Sequence, residues 1–447
     1  EYSRTIFFLG DMASETMTTK SDASADNQDL NNWKVGNFKT NGSLENFFKY
    51  AFIGVNRANA VIKKVPDAGF SQEQKDLFLG EAYFLRAWNY FNLVRNFGLV
   101  PLHKSVVETV DQTSTALAPD MDAMYDLILS DCRRAAELLP VYETPKIGRA
   151  DRVAAQALAA KAYLYVASAK EHGVKLYRDM HRDATVMYDS AAYFAGEVIE
   201  NQSVYGFESS LLDIYDVEKA RGKEHIFIMA MDRSGSSEGQ YSKISKMFIP
   251  YIDGATLYLK QGDKDEYIPT HDGWGEYQTT VAFYNTFDAS DKRKTELIVD
   301  KVYKADGTLL GEYPGKIPYP FCRKYIDPKF EGDKTSTRPF LLRFSDVALI
   351  YAEAAGPTAK AYELVNFIRS RAGLGDMKPN LGKDEFRREI LKERTFELAF
   401  EGDHVYDLRR WNRITIDVPE AAELSEDQVT FYPIPQAEIN LNGSLRP

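Results

Sequence analysis

The stretch 77–97 (LFLGEAYFLRAWNYFNLVRNF) limits the possible folds more than any other, because its apolar side chains occupy every side of a helix. At 3.6 residues per turn, Phe78, Ala82 and Leu85 share one side, Phe84, Trp88 and Phe91 another, and Val94 lies opposite. A helix of this kind must be covered on more than one side. Glu81 and Arg86 interrupt it, so it lacks the roughly 20 consecutive apolar residues of a membrane span. Ser71 and Gln74 form a capping box ahead of it, and Gly98 and Pro101 follow its end. The stretch is expected to be an inner helix of a layered, soluble α-structure.

Further helices supply the layers. Residues 44–65 repeat Phe47, Phe48, Ala51, Phe52, Val55 and Ala58 at helical spacing, with Ser43 as the expected N-cap and Pro66 as the stop. Residues 119–139 and 152–169 form a second pair, in which Ala154, Ala157, Leu158 and Ala162 allow close helix approach. The helix 182–199 finds its natural partner far downstream, at 344–355, and a last pair covers 359–372 and 384–400. The expected fold class is mainly α: a short TPR-like helical solenoid of four helix pairs with a large irregular, aromatic-rich insertion in the third. The expected domains are an N-terminal helix and polar loop (1–43), helix pairs (44–200), the insertion (201–337), and the returning helices with a tail (338–447).

The two non-helical regions differ in composition. A run rich in Ser, Thr, Asp and Asn between Ser14 and Asn32 cannot bury enough surface to make core, so a long exposed loop is expected there. The insertion has one strand-like run, 225–231, and many turn signals, yet a structureless loop of its length would be unusual. It is expected to be a compact subdomain packed on the helical frame, the kind of excursion on which binding residues sit.

Composition excludes several functions. With 44% apolar and 27% charged residues, the chain of 447 is an ordinary globular protein with a real core. A net charge of −11 without a basic stripe argues against nucleic acid, whose phosphates are bound by clustered Lys and Arg. Cys132 and Cys322 are too few for a disulfide framework or a thiolate zinc site, and Cys132 is expected to be a buried small hydrophobe. The six His are scattered, no H-E-x-x-H, EF-hand or phosphate-binding Gly motif occurs, and Asp22, Asp26, Asn27 and Asp29 read as a solvated loop; no metal or cofactor is expected.

Two motifs invite a catalytic reading. Gly235-Ser236-Ser237-Glu238-Gly239 matches G-x-S-x-G, but a nucleophile elbow needs a mostly parallel sheet, and no repeated βα alternation is present. A Ser/Gly turn is the simpler reading. Glu389, Glu393, Glu397 and Glu401 recur every four residues as if along one helix, which suggests a glycoside hydrolase. A catalytic acid needs a raised pKa, whereas these acids lie among bases, and ion pairing with Arg369, Arg371, Arg409 or Arg410 is the expected role.

The aromatic population remains: 13% of residues, including 27 Tyr. Sugars present C–H faces that stack on Trp and Tyr, with hydroxyls that need amide, carboxylate or guanidinium partners at the edge. Trp274, between glycines, with Tyr277 and Tyr284 after it, and Trp33, with Asn37 and Asn41 nearby, are the candidate substrate-binding residues. The alternative is that these rings fill the insertion's own core. Trp88 and Trp411 belong to helical packing motifs.

Five segments in register resemble the SusD/RagB family, the nutrient-binding surface lipoproteins of Bacteroidetes. They are GEAYFLRA with YFNLV and GLVPL (80–102), GVNRANA (54–60), Gly273-Trp274-Gly275, FSDVALIYAEA (344–354) and ERTFELAFEGDHVYDLRRW (393–411); Tyr432 to Ile439 resembles the family's closing strand and turn. The resemblance spans nearly the whole chain. It implies a non-catalytic protein at the outer membrane, exposed at the cell surface, that captures a carbohydrate ligand and delivers it to a SusC-like TonB-dependent transporter. It also implies a secretion signal and an N-terminal lipid anchor; neither occurs in these residues, which open on Glu1 as if processed or trimmed. Ligand held by N-terminal and insertion segments would favour Trp33 and Trp274, and Asp11 falls in a stretch resembling a segment near the ligand face. Some relatives bind peptides, which is the main alternative; a glycoside hydrolase and a protein-only TPR scaffold are the others.

Overall fold

The computed structural model describes residues 2–144, 146–200, 202–219, 222–235 and 240–445, with the backbone alone for 2–4. The inner helix runs Gln72–Phe97 and carries the expected capping box, in which the Ser71 hydroxyl accepts from the Gln74 amide and the Gln74 side chain accepts from the Ser71 amide. Phe84, Ala87, Tyr90, Phe91, Leu93 and Val94 are fully buried, whereas Leu85 is exposed, so the helix is open on one narrow side. Arg86 is tolerated inside because Asp131 of the next helix accepts both its Nε (2.7 Å) and its Nη2 (2.8 Å).

This helix packs against Gly42–Lys64 on one side and Met121–Leu138 on the other. Asn41, rather than Ser43, caps Gly42–Lys64: its side chain accepts from the amides of Ser43 and Leu44. Arg152–Glu171 follows, buried almost all round by its small residues, then Ala184–Glu200. The chain leaves the frame there and returns as Phe344–Ala355, which packs back on Ala184–Glu200, before Ala359–Arg371 and Lys383–Glu397 complete the solenoid. No helix among the described residues is long and apolar enough to cross a membrane.

The excursion is closed at its base by an antiparallel pair, His225–Ile228 with Phe340–Arg343. Further out, four antiparallel strands lie in the order Tyr267–Thr270, Leu257–Lys260, Lys301–Tyr303, Leu309–Glu312. They enclose a small core of their own that includes Ile249, Leu257, Leu259, Val302, Ile317 and Phe321. Of the insertion's rings, Tyr319 and Phe321 enter this small core, as the alternative reading had it, whereas Tyr277, Phe283 and Tyr325 enter the main core.

The polar run after the N-terminal helix departs from the expected exposed loop. Tyr2–Phe7 is helical and continues through a π-helical turn, Phe8–Met12; Met17–Thr19 then pairs antiparallel with Tyr277–Thr279, and Ala25–Asn31 is a helix capped by Ser24. Phe7, Phe8, Leu9, Met12, Met17, Leu30 and Phe38 all enter the main core. Their spacing among polar residues concealed this, since each contributes roughly 1.5–3 kcal/mol only once a tertiary partner covers it. The tail forms no strand among its described residues: the Tyr432 amide bonds to the Asn96 carbonyl (2.7 Å), and Gln436–Leu441 is a short helix.

Three members of the Glu series, Glu393, Glu397 and Glu401, are structural. Glu393 bonds Arg293 (2.5 Å) and Arg369 (3.0 Å); Glu397 bonds Arg343 (2.9 Å) and Arg371 (2.7 Å); Glu401 bonds Arg343 (2.7 Å) and Lys324 (2.7 Å). Glu224, just before the basal strand, also bonds Arg343 (2.9 Å) and pairs with Arg371. The network therefore sits where the insertion leaves and rejoins the frame. Three details differ from expectation: Glu401 lies past the end of the helix, Arg409 bonds the Arg95 carbonyl (3.2 Å), and Arg410 pairs with Glu353 and Asp407 instead. Burial would raise the Glu397 pKa, but Arg371, Arg343 and Arg293 lower it to about 2, the opposite of what a general acid requires.

Candidate functional site

Trp274 is the sequence-predicted ring that the fold presents to solvent, 40% exposed. Its turn is rigid. The amides of Gly273, Trp274 and Gly275 bond the carbonyls of Pro250 (3.0 Å), Lys246 (2.7 Å) and Ile249 (3.0 Å). Gly273 is required by this close approach, since a Cβ there would overlap the Ile249 carbonyl, and Gly275 takes φ +65°, which L-residues avoid. Backbone geometry thus sets the direction in which the Trp274 side chain leaves the turn.

Around it the structure gathers groups far apart in the chain. Lys243 and Lys246 place their ammonium groups 5.5 and 5.9 Å from the ring centre, and Lys243 also lies 5.7 Å from the half-exposed Tyr241 ring. Asp333 bonds Lys246 (2.8 Å), and its own pKa is lowered chiefly by that hydrogen bond. Asp272 stands 3.7 Å from the same ammonium and accepts the Gly254 amide (3.0 Å). Mutual bonds between Ser242 and Thr335 hold the two flanking segments together. Behind them His271 is buried: its Nδ1 donates to the Asp272 carbonyl (2.7 Å) while Nε2 accepts from Ser245 (3.0 Å), and burial lowers its pKa, consistent with the neutral ring this pattern needs. The outcome is an aromatic platform edged by ammonium and carboxylate groups, able to stack a C–H face and to bond hydroxyls at its rim.

The other candidates go elsewhere. Trp33, expected as a second platform, is buried: its indole Nε1 donates to the Ala13 carbonyl (3.1 Å), and its ring stacks near Tyr432 (6.4 Å) and packs on Phe38 (6.3 Å). Asn37 and Asn41, expected as hydroxyl partners, bond Asp29 and cap a helix. Tyr277 is fully buried against Phe7, Phe8 and Phe248. Tyr284 is half-buried, its hydroxyl bonded to Asp300 (2.9 Å) and its ring covered by Lys294 (4.5 Å). Asp11 is buried as well, accepting the amides of Gly402 (2.6 Å) and His404 (3.4 Å), and burial raises its pKa to about 7. Ser236 to Gly239 of the G-x-S-x-G motif, Ser237 among them, lie outside the described residues. The sequence reading missed Tyr241, Lys243, Lys246 and Asp333, which carry no local pattern that distinguishes them from solvated surface.

Two family models match the chain: the SusD family over residues 300–426, and a family described as starch-binding and associating with the outer membrane over residues 5–164. A SusD-like protein, P2, of Formosa agariphila is 26% identical over 94% of this chain and 82% of its own length. A SusD superfamily structure from Parabacteroides distasonis has a TM-score of 0.79 at 21% identity, covering 99% of this chain and 92% of that one. A laminarin-binding SusD-like protein scores 0.78 at 24% identity, covering 98% and 92%. The chain belongs to the SusD/RagB family. It is accordingly a non-catalytic binding protein, and membership implies a place at the outer membrane, exposed at the surface.

Proposed function

We propose that this protein captures a glycan at the cell surface on the Trp274 platform and delivers it to a SusC-like TonB-dependent transporter. The observation that carries the reading is a large aromatic ring, exposed on a turn held by three backbone hydrogen bonds, within a rim of Lys243, Lys246, Asp272 and Asp333. A turn ordered before ligand arrives adds little entropic cost on binding. The helical frame supports the platform, and a lipid anchor at the N-terminus of the precursor would hold both at the membrane beside the transporter.

Calorimetry against neutral and acidic glycans, with laminarin included because a similar structure binds it, tests the proposal. Trp274→Ala should cost about 2 kcal/mol, roughly 30-fold in affinity, as for a central aromatic anchor, without changing the thermal midpoint. Saturable binding of a peptide mixture but of no glycan would replace this reading with peptide capture.

A further inference from the structure

A pocket of about 460 Å³ opens between residues 281–286, the Lys383–Glu397 helix and the His404–Arg410 helix, on elements other than those of the Trp274 platform. Its volume falls in the range of small-molecule sites. Phe283, Leu391, Phe396 and Leu408 give it an apolar floor.

The polar lining is unbalanced in charge. Arg413 is neutralised by Asp417 (2.5 Å), and the His404 Nε2 is bonded to Glu15 Oε1 (2.7 Å). Arg388 and Lys392, one helical turn apart and both exposed, have no acidic partner among the described residues. Two unopposed cations over an apolar floor, on a protein of net charge −11, make a local site for an anion.

The lining is also unbalanced in hydrogen bonds. Glu15 Oε2 and His404 Nδ1 are buried atoms without a partner, and the His404 side chain is itself 5% exposed. Glu15, with Asp407 and Asp11, raises the His404 pKa to about 9 against the effect of burial, so the ring is an imidazolium at neutral pH and Nδ1 is a donor. Both residues line the pocket, so an acceptor and a donor without partners stand at its wall. A zwitterion would also reach Glu15, but its ammonium leaves the two free cations unmatched by net charge.

We propose that this pocket binds a single acidic sugar residue, a uronate, with its carboxylate toward Arg388 and Lys392, its hydroxyls toward Glu15 and His404, and its C–H face toward the apolar floor. The inference rests on the glycan-binding reading and adds to it a separate subsite that selects for negative charge.

The test is ligand-observed NMR on the full chain with glucuronate, glucose and leucine as probes, comparing wild type, the exposed double variant R388E/K392E, and Trp274→Ala. Glucuronate should bind at least tenfold more tightly than glucose and shift a histidine resonance. Its affinity should fall at least tenfold in R388E/K392E and with added salt, and stay unchanged in Trp274→Ala. Equal binding of glucose and glucuronate, insensitivity to the double variant, loss in Trp274→Ala, or displacement of glucuronate by leucine would each overturn it. Neutral glycans that bind while glucuronate does not would remove this inference alone; the absence of all carbohydrate binding would remove the glycan reading with it.

Discussion

Glu397 offers a sharp test of the view that the Glu-rich helix is structural. Its side chain is 1% exposed; Oε1 takes bonds from Arg343 (2.9 Å) and Arg371 (2.7 Å), and Oε2 lies 3.5 Å from Arg293. These guanidinium groups overcome the effect of burial and bring its pKa from 4.5 to about 2. At about 1.4 kcal/mol per pH unit, that difference is worth about 3 kcal/mol. Glu397→Gln keeps the shape but removes the charge and turns an amide donor toward guanidinium donors. Arg343 retains Glu224 and Glu401, while Arg371 retains Glu224. The expected loss is about 3–5 kcal/mol, as for a broken buried ion pair, read from urea unfolding at pH 7. The lowered pKa also sets the sign of the acid response: the contribution is fully present above pH 4.5 and is lost as pH falls toward 2, so the wild type should weaken there and the variant much less. Glycan affinity of the folded variant should be unchanged. A loss below about 1 kcal/mol, or a specific loss of binding, would refute the argument.

Three further perturbations follow from the same structure. His404, raised from 6.5 to about 9, stabilises the fold fully below pH 6.5 and loses that contribution as pH rises through 9, so the urea midpoint should fall across this range by the equivalent of about 3 kcal/mol. Asp11, raised to about 7, acts in the same sense between its unfolded value and neutrality; a midpoint that climbs from pH 5 to 9 would contradict both. Trp33→Ala should cost about 3–5 kcal/mol by leaving a cavity beside Phe38 and Tyr432, measurable as a lower unfolding midpoint, whereas a ligand platform would lose affinity at constant stability. Gly273→Ala forces the Trp274 turn off the Ile249 carbonyl, so glycan affinity should fall by about the same 30-fold as for Trp274→Ala, with some loss of stability; a silent variant would show that the turn does not aim the ring.

The helices and their order were legible because each carries its own apolar period and stop signals: Gln72–Phe97 with its capping box, and the separated partners Ala184–Glu200 and Phe344–Ala355, needed no tertiary information. The exposed Trp274 was legible for a local reason too, since flanking glycines report a close backbone approach whatever the rest of the chain does. Trp33 shows the limit. Its polar neighbours suggested a wet ring, but Tyr432, from the far end of the chain, supplies the surface that covers it. Burial is a property of two segments, and a local pattern records only one. The same reason explains the insertion, the platform and the pocket: Lys243, Asp333 and Trp274, or Glu15, Lys392 and His404, become groups only when strands and helices from distant parts of the chain meet. Local chemistry along the chain determined the helical frame and its resemblance to a family of binding proteins; which rings face water, and which charges stand together without partners, was decided by tertiary packing.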